Sequence, residues 1–323
     1  MYKGQFEVKG RYRHLVCVLT GTHHQEEVIE QALHVARNHQ AEISMLLALE
    51  ELPPNAQMIM QSVSYLESTE AMEVMAKHWL DDQVSSWDTE VPINASVTFG
   101  SQTANIIALV EKTQADLVMK QADDDVLERW FGNGDVNLLR QCPCPVWITH
   151  QGQAEKYNTI VAAVDLNYHY APDVVAQKRA LNMEILRHAT RIALLEFAQL
   201  HIVHVYDVVP ESILRDGFIQ FDQPALQEEK ALIAQERQTV LDELMAMLAS
   251  EVEDATLIFL KPTTTLIEGE PAIKLGQFVK QADADLLVMG TAGRKGVAGL
   301  LLGNTTESVI HQVECALVAV KTP

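Results

Sequence analysis

Along the chain, short apolar runs alternate with longer amphipathic stretches. In the second half, residues 159–164, 200–206, 257–260, 286–289 and 316–320 are near-continuous apolar runs of strand length. Runs of this kind are expected of strands buried on both faces. Between them, Leu226, Ile233, Val240, Leu241, Leu244 and Leu248 fall at helical spacing and predict a long helix reaching about position 250. In the first half, residues 15–19 form the first strand. Met72, Ala76, Leu80 and Val84 step by four, with Met75 and Trp79 beside them. Strands alternating with helices predict a parallel sheet with helices on both faces. Five strands in each half suit a doubly wound α/β fold.

The two halves also repeat one another. Residues 15–19 (LVCVL) answer residues 160–164 (IVAAV), and Ala115-Asp116-Leu117 answers Ala284-Asp285-Leu286. Gly132-Asn133 and its following Leu138-Leu139 answer Gly303-Asn304 and Val309-Ile310 at one constant offset. Three matches in the same order indicate a duplication. The polar stretch 150–156 is the natural linker, giving domains 1–152 and 153–323. The last strands of the two copies, near 146–149 and 317–320, would be sheet edges that invite pairing. They predict an intrachain pseudo-dimer, with a homodimer or a further protein partner also open.

Composition narrows the functional classes. The formal charge is −20, and both halves are acidic. No basic face is implied that could release phosphate counterions, which argues against direct nucleic-acid binding. No apolar run approaches the length of a membrane helix, and the N-terminus has no apolar signal core. Four cysteines lack zinc-ligand spacing, and Cys142-Pro-Cys144 is not a C-x-x-C redox pair. A reduced, cytoplasmic protein is expected, with no metal site.

The informative segment runs from Gly290 to Val309, where a strand ends and a helix should begin. Its glycines stand at 290, 293, 296, 299 and 303. Glycine lets the backbone turn sharply and bring its amides close to a ligand. A helix N-terminus adds free amides and positive potential, and Arg294 and Lys295 add mobile positive charge. Together these suit a phosphate chain, although a purely structural turn is the alternative. Asp165 follows the first strand of the same copy. If that strand neighbours the fourth, Asp165 and Gly290 line one crevice at the winding reversal. Its carboxylate could then accept from a base or ribose; a turn or cap role is the alternative. Asn304 reads either as a phosphate contact or as an N-cap with Glu307 at N3.

The spacing G-x2-G-x9-G of Gly290, Gly293 and Gly303, followed by polar Asn304 and Thr305, resembles the nucleotide motif of the universal stress protein family. Asp165 matches that family's first-strand Asp, the run 200–207 (LHIVHVYD) its second strand, and Gly269-Glu270-Pro271 its turn before the third helix. The tandem arrangement is similar to the family's E type. The resemblance implies two flavodoxin-like, adenine-nucleotide α-hydrolase-like domains with strand order 3-2-1-4-5. It implies ATP or another adenine nucleotide, with or without magnesium, held by Asp165, Gly290, Gly293, Arg294, Lys295, Gly303, Asn304 and Thr305. It also implies a role in stress survival, including resistance to DNA damage. At most a slow ATPase is expected, since no nucleophile, base or arginine finger can be assigned.

The first copy departs from this pattern. Thr20 replaces Asp165, Lys120 replaces Gly290, and no glycine lies between Lys120 and Gly132. Asp123, Asp124, Asp125 and Glu128 are expected to form a solvated acidic loop that repels a polyanion. The same copy holds Met45, Met58, Met60, Met72 and Met75. These either fill a core or line a pocket for an apolar, lipid-like ligand. The competing function is therefore a nucleotide-independent scaffold or carrier. His23, His24 and His169 do not form a metal triad.

Overall fold

The computed structural model describes residues 10–21, 25–49, 69–87, 89–123, 131–150, 152, 156–208, 222–291 and 302–322. Two compact units divide between residues 155 and 156, Gly10 grouping with the second. The first contains β1 (His14–Leu19), α1 (Glu26–His39), β2 (Glu42–Leu49), α2 (Thr69–Ser86) and β3 (Ile93–Phe99). It continues with α3 (Gln102–Thr113), β4 (Leu117–Gln121), α4 (Asn133–Gln141) and β5 (Val146–Thr149). The second contains β6 (Thr159–Ala163), α5 (Pro172–Glu196), β7 (Gln199–Tyr206), α6 (Gln223–Glu251) and α7 (Asp254–Leu260). It ends with β8 (Thr263–Glu268), α8 (Pro271–Gln281), β9 (Leu286–Gly290), α9 (Asn304–Ile310) and β10 (Ala316–Val320).

Strand order in the first unit is β3-β2-β1-β4-β5, and in the second β8-β7-β6-β9-β10. All the pairings within each unit are parallel. Both orders are the expected 3-2-1-4-5. The first strand lies between the second and the fourth, so the winding reverses beside it and a crevice opens at the carboxyl ends. The inner strands are almost wholly buried, as their continuous apolar runs require.

One repeated device sets the register of these inner strands. Asp116, just before β4, accepts the amides of Arg13 (2.6 Å) and His14 (2.9 Å) on one carboxylate oxygen. Asp285, just before β9, accepts those of Asn158 (2.7 Å) and Thr159 (2.9 Å) in the same way. The repeated Ala-Asp-Leu of the sequence therefore clamps the start of the first strand to the start of the fourth in each unit. A second device closes helices onto strands. Gln40, Gln114 and Phe197 end α1, α3 and α5 in the left-handed conformation, at φ 56°, 54° and 56°. The alanine after each sends its amide back to the helix: Ala41 to Ala36 (3.0 Å), Ala115 to Val110 (3.2 Å) and Ala198 to Ala193 (2.9 Å). Those bonds satisfy carbonyls that would otherwise be orphaned at the helix end.

One expected strand is displaced. Residues 257–260 close the short helix α7, and the third strand of the second unit is β8, Thr263–Glu268. The apolar run was too short for its period to separate helix from strand. Ile258 and Phe259 are exposed on α7. The β-branched threonines that follow pair with β7 as a half-exposed outer strand. Elsewhere the helical spacings hold: Leu241, Leu244 and Leu248 are buried on α6, and Leu80 on α2. Three methionines of the first unit's cluster are described, with Met72 half-buried on α2. Met45 is wholly buried in β2, Met75 on α2 is 64% exposed, and Met58 and Met60 lie outside the described residues.

Gly269 ends β8 at φ +136°, donates its amide to Tyr206 (2.9 Å), and is followed by Pro271 in the first turn of α8. A β-carbon there would stand 2.8 Å from Cγ of Lys274. Gly269→Ala is expected to cost the second unit about 1 kcal/mol or more, because an L-residue is strained at that φ. Hydrogen exchange at the β8 amides should accelerate; unchanged protection would refute the assignment.

Candidate functional site

In the second unit, β6 pairs with β9 with Ala163 opposite Met289. Asp165 and Gly290 thus emerge at the same end of adjacent strands, as the crevice argument requires. One turn of α5 holds both. The Asp165 side chain is 56% exposed and pairs with Lys178 of α5. Its other oxygen accepts the Asn167 amide at 3.0 Å. Asn182, almost wholly buried, accepts the Asp165 amide (3.0 Å) and donates to its carbonyl (2.9 Å). Leu181 lies over Gly290, where a β-carbon would approach its Cδ2 to 2.6 Å. The space freed by Gly290 is therefore used by the chain's own helix.

Beyond Gly290, residues Gly293, Arg294 and Lys295 lie outside the described residues. The chain returns at Leu302, and Gly303 is the N-cap of α9: its carbonyl takes the Glu307 amide at 2.9 Å. The capping reading of Asn304 with Glu307 is thereby corrected by one residue. Asn304 is the first helical residue, and Thr305, next along, is exposed. Glycine at the cap suffices because the neighbouring turn supplies the fixing contact: Thr306 is buried and donates its hydroxyl to the Gly290 carbonyl at 3.0 Å.

Behind Asp165, His204 of β7 and Arg237 of α6 are buried. His204 Nδ1 lies 3.0 Å from the Val164 carbonyl and 3.3 Å from the Leu166 amide. Arg237 donates to the Leu166 carbonyl at 3.3 Å. Both brace the segment that carries Asp165. Burial holds His204 below the ordinary imidazole range; the contact with the Val164 carbonyl acts the other way and is the weaker. Lys178, Leu181, Asn182, His204 and Arg237 were not singled out from the sequence. The signal was present in Asn182 and His204, polar residues set among apolar neighbours.

The first unit closes the same strand end with charge. The register corrects the sequence alignment by one residue: Val18 faces Lys120 as Ala163 faces Met289, so Lys120, fully buried in β4, stands at the place of Met289, and Gln121 at that of Gly290. Its ammonium donates to Asp135 at 2.7 Å, to the Gln121 carbonyl at 3.0 Å, and to Asp123. Asp135, fully buried at the place of Thr306, also accepts the amides of Gly132 and Asp123, each at 2.9 Å. Burial pushes the Asp135 carboxyl up, outweighing Lys120, which acts in the opposite direction. Asp123 is thus an ion-pair partner and not part of a solvated loop; Asp124, Asp125 and Glu128 lie outside the described residues. Gly132 and Gly134 give Asp123 its room, since a β-carbon at Gly134 would stand within bonding collision of its carboxylate.

With both strand ends described, relatives can be compared. The universal stress protein family matches residues 11–150 and again 156–321. The chain belongs to the universal stress protein family. Universal stress protein E of Photorhabdus laumondii is 23% identical over 96% of this chain and 95% of its own length. Universal stress protein E of Escherichia coli K12 is 28% identical over 75% of this chain and 73% of its own. Among solved structures, a protein of unknown function from Pseudomonas aeruginosa PAO1 superposes with TM-score 0.66. It is 21% identical and covers 96% of this chain and 93% of that one. A universal stress protein of Archaeoglobus fulgidus gives TM-score 0.58 at 15% identity over 96% and 98%. These structures share the fold. Membership of this family supports a role in the stress response. No helix among the described residues is long and apolar enough to cross a membrane.

Two outcomes follow for a universal stress protein built this way. All four tryptophans (Trp79, Trp87, Trp130 and Trp147) lie in the first unit, so tryptophan fluorescence reports its unfolding alone. Lys120→Met should destabilise that unit by about 3–5 kcal/mol, because Asp135 is left buried without its cation. Adding Asp135→Asn, which keeps an acceptor for the amides, should recover more than half; urea unfolding checks both. For His204 the depressed folded pKa sets the sign. Its contribution is complete above the ordinary value of about 6.5 and is lost as pH falls below it. Amide protection in β6 and β7 should weaken over that interval, and His204→Asn should remove the dependence. An identical acid limb in the variant would exclude His204 as its source.

Proposed function

We propose that this chain is a cytoplasmic stress-survival protein in which ATP or another adenine nucleotide acts as a regulatory ligand of the second unit alone. Resistance to DNA damage is the form of survival that the resemblance to the family's E type implies. The observation that carries the reading is the contrast between two strand ends of one sequence. In the second unit an exposed carboxylate, Asp165, stands beside Gly290, and the backbone at Gly303 leads into a polar, exposed Thr305. These groups fit a base or ribose at Asp165 and phosphates nearer Gly303. Asp165 retains acceptor capacity beyond its contact with Lys178. In the first unit Gln121 stands for Gly290, its carbonyl is taken by the buried Lys120 that pairs with Asp135, and Thr20, which stands for Asp165, donates its amide to Gln25 at 3.2 Å. A polyanion there would have to displace Asp135 and meet Asp123. That unit serves as a structural or partner-binding module.

Of the described methionines in the first unit's cluster, Met45 is buried, Met72 half-buried and Met75 exposed. Calorimetric titration of the full chain with ATP should give about one site per chain, as one competent strand end requires. Gly293→Val should abolish binding in a protein whose circular dichroism is unchanged, by putting a branched side chain where the backbone must approach phosphate. Two equivalent sites, or binding that survives the substitution, would overturn the proposal.

A further inference from the structure

All four cysteines carry free, buried thiols, but they fall into two kinds. Cys17 and Cys315 each sit alone in a sheet environment, and burial pushes both thiols up to about 12. Cys142 and Cys144 flank Pro143 at the turn from α4 into β5, and their sulfurs lie 3.7 Å apart. Cys142 is the C-cap of α4 and donates its amide to Leu138 at 2.9 Å. The next anchor is Pro145, whose carbonyl takes the Val118 amide at 3.0 Å. Both ends of the turn are thus fixed to the fold, and Pro143 removes a backbone freedom between them. The two sulfurs meet because the backbone places them there.

We infer that Cys142 and Cys144 form a dithiol that peroxides convert to an intrachain disulfide, which makes the first unit a site of reversible oxidative modification. The inference does not rest on the nucleotide reading. A disulfide has a sulfur separation of about 2.05 Å, and sulfurs already in contact reach it by side-chain rotation. Cys144 is 9% exposed and Cys142 2%, so the oxidant meets Cys144 first. The Cys144 sulfur attacks the peroxide, breaking its O–O bond; Cys144 becomes a sulfenic acid, and water or an alcohol departs. The Cys142 sulfur then attacks the Cys144 sulfur, the S–S bond forms, the S–O bond breaks, and the hydroxyl leaves as water with the Cys142 proton. The two thiols together lose two protons and two electrons, and the peroxide gains them. The hydrogen bond to Cys142 and burial push the Cys144 thiol up, so the first step is slow. The pair therefore answers sustained oxidant, not a brief pulse.

The reduced full-length protein, freed of reductant, is exposed to excess hydrogen peroxide while circular dichroism shows it folded. It is then denatured, alkylated and weighed as peptides. The expected result is loss of the mass of two hydrogens in the peptide bearing both Cys142 and Cys144, reversed by dithiothreitol. Cys17 and Cys315 should remain alkylatable. Cys142→Ser should instead accumulate oxygen on Cys144. Three outcomes in the unsubstituted chain would overturn the inference. These are both thiols fully alkylatable, oxygen added at Cys144 with Cys142 still alkylatable, or disulfides between chains. Because the decisive readout uses the unsubstituted chain, it does not depend on how the variant folds.

Discussion

In each unit an aspartate at the mouth of the fourth strand takes two backbone amides from the approach to the first. Asp116 and Asp285 lie at the amino ends of the sheets, at the opposite end of the strands from Thr20 and Asp165. Parallel strands carry no hairpin to fix their register, so something else must. A charge-assisted bond to two consecutive amides does so in one stroke. A slip by one residue would break both bonds and turn every side chain of the strand to the opposite face. The emergence of Asp165 beside Gly290 at the far end, and of Thr20 beside Gln121, is inherited from this clamp.

On that common frame the two units diverge at a few positions. In the second, Gly290 admits Leu181 and Thr306 ties the last helix to the strand through a neutral hydroxyl. In the first, Lys120 and Asp135 make the same tie with opposite charges. Both solutions close the gap between the fourth strand and the last helix. The neutral one leaves Asp165 and the polar start of α9 facing outward, whereas the charged one consumes the amides of Gly132 and Asp123 on an internal carboxylate. The difference in function proposed for the units follows from which groups remain available.

The period of the apolar runs, the alternation of strand and helix, and the repeated Ala-Asp-Leu made the fold class and the duplication legible in sequence, whereas the strand order was implied by the family resemblance alone. The third strand of the second unit was not, because a four-residue apolar run has no period to read and β8 is built from threonines. The strand-end residues were legible where chemistry is local, as at Asp165 and Gly290. Long-range partners were hidden. Nothing near Lys120 in sequence shows that Asp135 will close on it, and nothing near Asp165 points to Lys178 or Asn182 on the following helix. A lysine inside an apolar strand was the one clue, since such a charge must find a partner.

The ion pair of the first unit also constrains its descent. Suppose the chain were to move, one substitution at a time, from Lys120 and Asp135 to Met289 and Thr306, their counterparts in the sister unit. Whichever residue changed first would leave the other charge sealed in the protein without a counter-ion. Each path between the two solutions therefore crosses an unstable intermediate, although both ends are sound. The two copies of one gene segment are in this sense held apart by electrostatics, and the loss of one strand end works as a ratchet.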